Sequence, residues 1–202
     1  SHKNMSLDFK LKKFISGSGF KPYYRNPVWL GPLSPQSIAE LFREETDEEE
    51  LYSEAIDAWY AVHRDNDVDR TLQFYTELYL QNDILTKVDR AGMLNSLEVR
   101  CPFLDVEFVD YVRTIPSHMK YDGRTTKKVL KKSLHHWLPK EILYREKKGF
   151  GVPIGKWFKN EQLTIGNENF DGILDVKVVD KMLKQHVNNQ ADWRSFLWAY
   201  YV

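Results

Sequence analysis

A mainly α-helical fold is what this sequence predicts, and three observations carry the expectation. Apolar residues recur at helical spacing in one segment after another, as in Ile38, Leu41 and Phe42 or in Val129, Leu130, Leu134 and Leu138. Capping and proline signals bracket those segments, among them Ser34-Pro35, Asp105 and Pro139. No stretch alternates convincingly between apolar and polar residues; FKLKKF, at Phe9 to Phe14, is too brief to classify.

Composition bounds the rest. The 202 residues, 42% hydrophobic and 14% aromatic, suit one domain or one and a half with a sizeable core. Twenty-nine Lys plus Arg balance twenty-nine Asp plus Glu, so the overall charge argues against a nucleic-acid partner. A single cysteine, Cys101, excludes an internal disulfide framework and suits a reducing cytoplasm; between Arg100 and Pro102 it reads as core packing rather than as a nucleophile. No apolar run approaches the ~18 residues of a membrane span, and no leader-like segment opens the chain, so no membrane partner is expected.

In chain order, residues 1–33 are expected to be an irregular segment and 34–202 a helical bundle. Ser16-Gly17-Ser18-Gly19 breaks the first short pattern, and Pro22, Pro27, Pro32 and Pro35 punctuate an aromatic loop that leaves no room for regular helix. Ser34 then caps a helix with Pro35 in its first turn, running to about Thr46. Leu51, Ala55, Ala58, Trp59 and Val62 make a second stripe, whose acidic flank, Glu44 to Asp57, reads as a solvated face. A third helix is expected over Asp69 to Leu80, central because apolar residues surround it. After it Asn82 or Asp83 caps the next, with Lys87 and Arg90 one turn apart beside its inner stripe. Pro102 ends any helix, Asp105 starts another through to Ile115, and two more cover Asp175 to Val187 and Ala191 to Val202.

Two stretches draw attention for chemistry. DILTKVDRAGMLNSLEVRCPFLD, from Asp83 to Asp105, interleaves charges with apolar residues in a pattern expected to bury those charges beside a core. Buried charges must pair with one another or with a charged ligand. REKKGFGVP, from Arg145 to Pro153, places Gly149 and Gly151 where backbone can approach a ligand, beside the cations Arg145, Lys147 and Lys148 that suit phosphate oxygens. It is not the phosphate loop GxxxxGK[ST]. The six histidines are scattered apart from His135-His136, so no zinc set or other metal site is expected, and no serine has a nucleophile elbow around it. Arg124, Lys127, Lys128, Lys131 and Lys132 make a basic helix face, read either as solvated or as guarding an anionic pocket or partner.

The blocks DILTKVDRAGMLNSLEVRCPFLD, RTTKKVLKKSL and LPKEILYREKKGFGVPIGKWF, in that order, resemble the C-terminal part of glutamine-hydrolysing asparagine synthetases, and WRSFLW near the end resembles the family's last helix. The resemblance implies the helical C-terminal portion of an adenine-nucleotide α-hydrolase-like (α/β) synthetase domain, lacking most of its parallel sheet. It implies ATP and Mg²⁺ in the intact enzyme, adenylation of the aspartate side chain, and attack by ammonia drawn from glutamine in a separate domain. Lys147 is the family's lysine for stabilising the departing pyrophosphate; Arg145, Lys148 and Gly149 accompany it. Lys87, Asp89, Arg90, Glu98 and Arg100 are expected to bind substrate or phosphate, or to brace the cleft as paired charges. The chain lacks an SGGxDS loop, an SGEGADE-like segment and a catalytic N-terminal cysteine, so it is expected to need an N-terminal synthetase segment and a glutaminase domain, and to be inactive and without tightly bound cofactor alone. A β-lactam synthetase, an amidotransferase for another carboxylate, and a non-catalytic helical module binding acidic protein or RNA through residues 120–159 are the alternatives.

Overall fold

The computed structural model describes residues 7–43, 45–62, 66–146, 152–160, 163–165 and 172–202, with backbone alone for 7–10. The expected helical class is what the described residues show: helix after helix, with two isolated antiparallel bridges, Phe42 to Leu174 and Tyr121 to Thr126, in place of a sheet. The chain divides into two compact units, Ser1–Ile56 with Phe150–Val202, and Asp57–Gly149.

The first unit opens with α1 (Leu7–Ser18) and α2 (Pro22–Leu30), where irregular chain was expected. Proline did not exclude helix here because Pro22 occupies the first turn, where no acceptor awaits its missing N–H, and Pro27 forfeits one bond in a helix held from outside. Lys13 Nζ donates to the Gly31 carbonyl at 2.6 Å, Trp29 Nε1 donates to the Phe14 carbonyl at 3.2 Å, and the Phe14 and Trp29 rings stack. Gly17 lets the Trp29 indole lie against this helix, since a Cβ there would run into it unless the indole moved.

Ser34 caps α3 (Pro35–Leu41) as expected, its Oγ accepting the Ser37 N–H at 3.2 Å. The helix stops short of Thr46 because Phe42 turns extended and exchanges helical bonds for cross-chain ones. Arg43 N–H donates to Ile173 O at 3.1 Å, and Asp175 N–H donates to Leu41 O at 2.7 Å. Asp175 also caps α13 (Val176–Val187), accepting from Lys177 N–H at 2.9 Å. Leu33, Leu41 and Leu174 meet Phe158 of α12 (Ile154–Lys159), Val179 and Met182 of α13, and Phe196 and Leu197 of α14 (Arg194–Tyr201) in one apolar core. Leu197, wholly withdrawn from solvent, contributes about 1.5–3 kcal/mol through burial. Between α3 and the boundary with the second unit lie α4 (Glu48–Leu51) and the start of α5 (Ser53–Tyr60). Of the expected stripe Ala55, Ala58 and Trp59 are buried, whereas Leu51 is exposed.

In the second unit, Asn66 caps α6 (Asp67–Phe74) through Asp69 N–H, and its amide also donates to Asp69 Oδ2. The chain then runs on through a π-helical segment (Tyr75–Leu85) into α7 (Thr86–Met93). The break expected at Gln81 to Asp83 is absent: Leu85 and Thr86 keep right-handed helical angles, so Asn82 and Asp83 cap nothing. Those polar residues point to solvent and cost the helix no burial. Nor is the element apolar-packed on all sides, with Phe74 buried and Leu72 exposed. After Met93 the chain turns through Ser96 at φ 57°, continues without regular structure to Cys101 and makes a 3-10 turn at Pro102–Leu104. Asp105 Oδ1 then caps α8 (Val106–Thr114), accepting from Phe108 N–H at 3.1 Å. Next come α9 (Ser117–Lys120), α10 (Lys128–Leu134) and α11 (Lys140–Leu143). Cys101, expected in the core, is exposed, as is Trp137 beyond the end of α10.

Candidate active-site surface

α7 carries Lys87, Asp89 and Arg90, all exposed. Lys87 Nζ lies 3.5 Å from Asp83 Oδ1 one turn earlier, a pair that straddles the join between π and α helix. Such solvated pairs contribute ~0.3–0.5 kcal/mol and leave the ammonium free to reorient. On the irregular stretch after α7, Arg100 and Glu98 pair at 2.5 Å, again with both side chains exposed.

The burial expected of the Asp83 to Asp105 charges is therefore corrected. Asp83, Lys87, Asp89, Arg90, Glu98, Arg100 and Asp105 all face solvent. The reason lies in their apolar neighbours: Met93, Leu94, Leu97, Val99 and Phe103 are exposed too, and Ile84, Leu85, Val88 and Leu104 are only half-buried, so none of these described residues gives the charges a closed core to sit beside. The structure pairs Glu98 with Arg100, and Lys87 with Asp83, each within its own segment.

Arg145 follows α11 on exposed chain, just after Tyr144, whose ring receives the Lys131 ammonium at 5.2 Å from its centroid. That cation–π contact, worth about 0.5–1 kcal/mol where exposed, ties the basic face of α10 to the residue before Arg145. Lys147, Lys148, Gly149 and Gly151 lie outside the described residues.

At the head of α10 stands a residue not singled out from sequence. Asp122 accepts backbone N–H bonds from Thr125 at 2.8 Å and Arg124 at 3.1 Å, and an ammonium contact from Lys128 at 3.2 Å. The Thr125 bond first, then Arg124 and Lys128, pull its carboxyl down to about 2. Asp122-Gly123 was the visible signal, an Asx turn with glycine at φ 89°. Asp122 thus offsets part of the positive charge of the Arg124 to Lys132 segment and fixes the turn that presents it.

The described residues here carry exposed charges of both signs, Lys87, Arg90, Arg100 and Arg145 beside Asp83, Asp89 and Glu98. Among the described residues no group of three or more His, Cys, Asp or Glu side chains is placed to hold a metal ion, and no helix is long and apolar enough to cross a membrane.

The chain is similar in sequence to known proteins. A putative glutamine-hydrolysing asparagine synthetase of Mycobacterium tuberculosis is 35% identical over 127 residues, 60% of this chain and 20% of that protein. Asparagine synthetase (glutamine-hydrolysing) 1 of Bacillus subtilis is 33% identical over 139 residues, 66% of this chain and 22% of that protein. The human glutamine-hydrolysing asparagine synthetase is 28% identical over 144 residues, 60% of this chain and 25% of that protein. The chain thus spans about a fifth to a quarter of the length of these relatives. No solved structure gives a significant match. The asparagine synthase family model runs from residue 16 to 201, through the helices of both units and the basic loop alike, and the chain belongs to that family.

Proposed function

We propose that this chain is the C-terminal part of the synthetase domain of an ATP-dependent, glutamine-hydrolysing asparagine synthetase. The intact enzyme, cytoplasmic in this reading, would adenylate the aspartate side chain and transfer ammonia from glutamine to it, releasing AMP and pyrophosphate. The observation that carries this is the continuous family match over residues 16–201, which takes in Lys87 to Arg100 and the whole of REKKGFGVP.

In this reading the Lys147 ammonium offsets the negative charge that builds on pyrophosphate as its bond to the α-phosphate breaks, a stabilisation made chiefly in the transition state. Arg145 and Lys148 add to the local positive potential, and Gly149 lets the backbone come close to the phosphates. Lys87, Arg90 and Arg100 are solvent-facing cations available to an anionic substrate, with Asp89 and Glu98 setting their local charge. Mg²⁺, when bound with ATP, supplies neutralisation of the phosphates. Among the described residues no group of three or more His, Cys, Asp or Glu side chains is gathered for a metal, and in this reading the part assigned to the residues named here is cationic.

Alone, the chain is proposed to be inactive. Its exposed Met93, Leu94, Leu97, Phe103 and Val106 support this, being the surface of a domain that closes against further sequence. The test is ATP–pyrophosphate exchange dependent on aspartate. The intact enzyme should exchange, Lys147→Ala should lower the rate by about a hundredfold or more while glutaminase activity persists, and the chain alone should show none. Exchange driven by a different carboxylate would move the reading to another amidotransferase of the family.

A further inference from the structure

The His186 imidazole, only 2% exposed, sits in the last turn of α13 and binds backbone on both sides, all within the first unit. Nε2 lies 3.1 Å from the Gly155 carbonyl in α12, and Nδ1 lies 3.3 Å from the nitrogen of the Trp193 N–H that leads into α14. An amide N–H only donates and a carbonyl only accepts, so the tautomer follows: Nδ1 is bare and Nε2 carries the proton. A proton added at Nδ1 is incompatible with this arrangement, because two N–H groups would then face each other. A second acceptor stands close by: Asp192 Oδ1, 3.8 Å from Nδ1, now held by Arg194 Nε at 2.8 Å.

We propose that His186 is a proton-operated latch on the turn between α13 and α14. Neutral, the ring accepts the Trp193 N–H and keeps that turn closed. On taking a proton from solvent, it donates Nδ1–H to Asp192 instead and lets the Trp193 N–H go. The movement is confined to the turn, since the Trp193 indole keeps its own bond to Gln185 Oε1 at 2.8 Å and Phe196 and Leu197 stay in the core. Of the charges around the ring, Lys159 of α12 and Arg194 of α14 oppose the proton, and Asp192 favours it. Glu40 on α3, Lys156 on α12 and Lys181 and Lys184 on α13 itself are exposed. The C-terminal end of the α13 dipole adds to the pull of Asp192 on a cation. Burial, the largest influence, holds the ring below its ordinary 6.5, so the latch is closed at neutral pH. As pH falls below 6.5 toward the folded value, each pH unit raises the open population by up to about tenfold.

The test is amide hydrogen exchange in the intact protein, read by mass spectrometry on peptides across residues 188–197 from pH 7.5 to 5 and corrected for the intrinsic pH dependence of exchange. Protection of this turn should fall with acid by up to about tenfold per pH unit below 6.5. In H186N the amide oxygen stands in for Nδ1 without titrating, so the turn should stay protected throughout. In H186Q the amide nitrogen stands in for Nε2 and keeps the Gly155 bond, but the acceptor for Trp193 is lost, so the turn should be open at every pH. D192N removes the charge that receives the proton and should move the opening to lower pH. Flat protection in the wild type, or an H186N profile that still follows acid, overturns the latch; an unmoved opening in D192N overturns the transfer to Asp192. Tm at pH 7.5 shows that each variant is folded, and the wild type with D192N, which keeps the buried ring, decides the matter should a His186 variant fail to fold.

Discussion

Lys120 Nζ stands 3.0 Å from Asp69 Oδ1, and the two side chains are only 16% and 9% exposed. The pair joins the end of α9 to the first turn of α6, residues fifty-one apart in sequence. Removing one member leaves a poorly hydrated charge with one partner fewer, at a cost of about 3–5 kcal/mol for a fully buried pair and somewhat less here. Lys120→Ala should lower the denaturation midpoint of the intact protein clearly. Adding Asp69→Asn should cost less than the sum of the two single changes, and strict additivity would show that the pair is not coupled.

Acid stability should fall in two legs. His186 is held below its ordinary 6.5, so the unfolded chain takes up that proton first and the stabilisation, complete above about pH 7, declines as pH falls below 6.5 toward the folded value. Asp122, lowered from 3.8 to about 2, contributes stability present above about pH 4 and lost as pH falls toward 2. Thermal unfolding across pH 3 to 8 reads both legs. H186Q should abolish the first and leave the second; an unchanged first leg would assign it to another group.

Gly17→Ala tests the α1–α2 hairpin through the sign of its effect. In an open helix the change would stabilise by up to about 1 kcal/mol, but here the new methyl meets the Trp29 indole. Overpacking of about 1–3 kcal/mol should win, giving a net loss of stability and altered Trp29 fluorescence. A gain in Tm would mean that Trp29 swings away freely.

Leu197→Ala should be the costlier core change, about 2–5 kcal/mol, because Leu197 is fully enclosed by the core of its unit. Val202→Ala, at an exposed terminus, is the matched control and should change little.

Local signals were legible where a single residue decides the geometry. Ser34 and Asp105 announced their helices because a cap satisfies orphan N–H groups within three residues, and each does so here. What failed was long-range. Leu41 ends α3 because Asp175 and Ile173 supply competing bonds from far along the chain, which no local pattern can show. Pro22 and Pro27 look like breakers in the sequence because the support from Lys13 and Trp29 is tertiary. The Asp83 to Asp105 charges were placed in a core on the strength of their apolar neighbours, yet pattern alone does not say whether a covering layer is there. His186 carried no sequence signal at all: a lone histidine on an amphipathic helix looks the same whether or not its ring ties three segments together.

The π-helical segment between α6 and α7 has a consequence for what Lys87 and Arg90 face. Each π turn takes up about one more residue than an α turn, so across these 11 residues the helix lags by roughly half a revolution. α7 is in effect clocked by the winding of the segment before it. A one-residue deletion there, or a rewinding to α geometry, would swivel both cations around the axis while leaving their chemistry untouched.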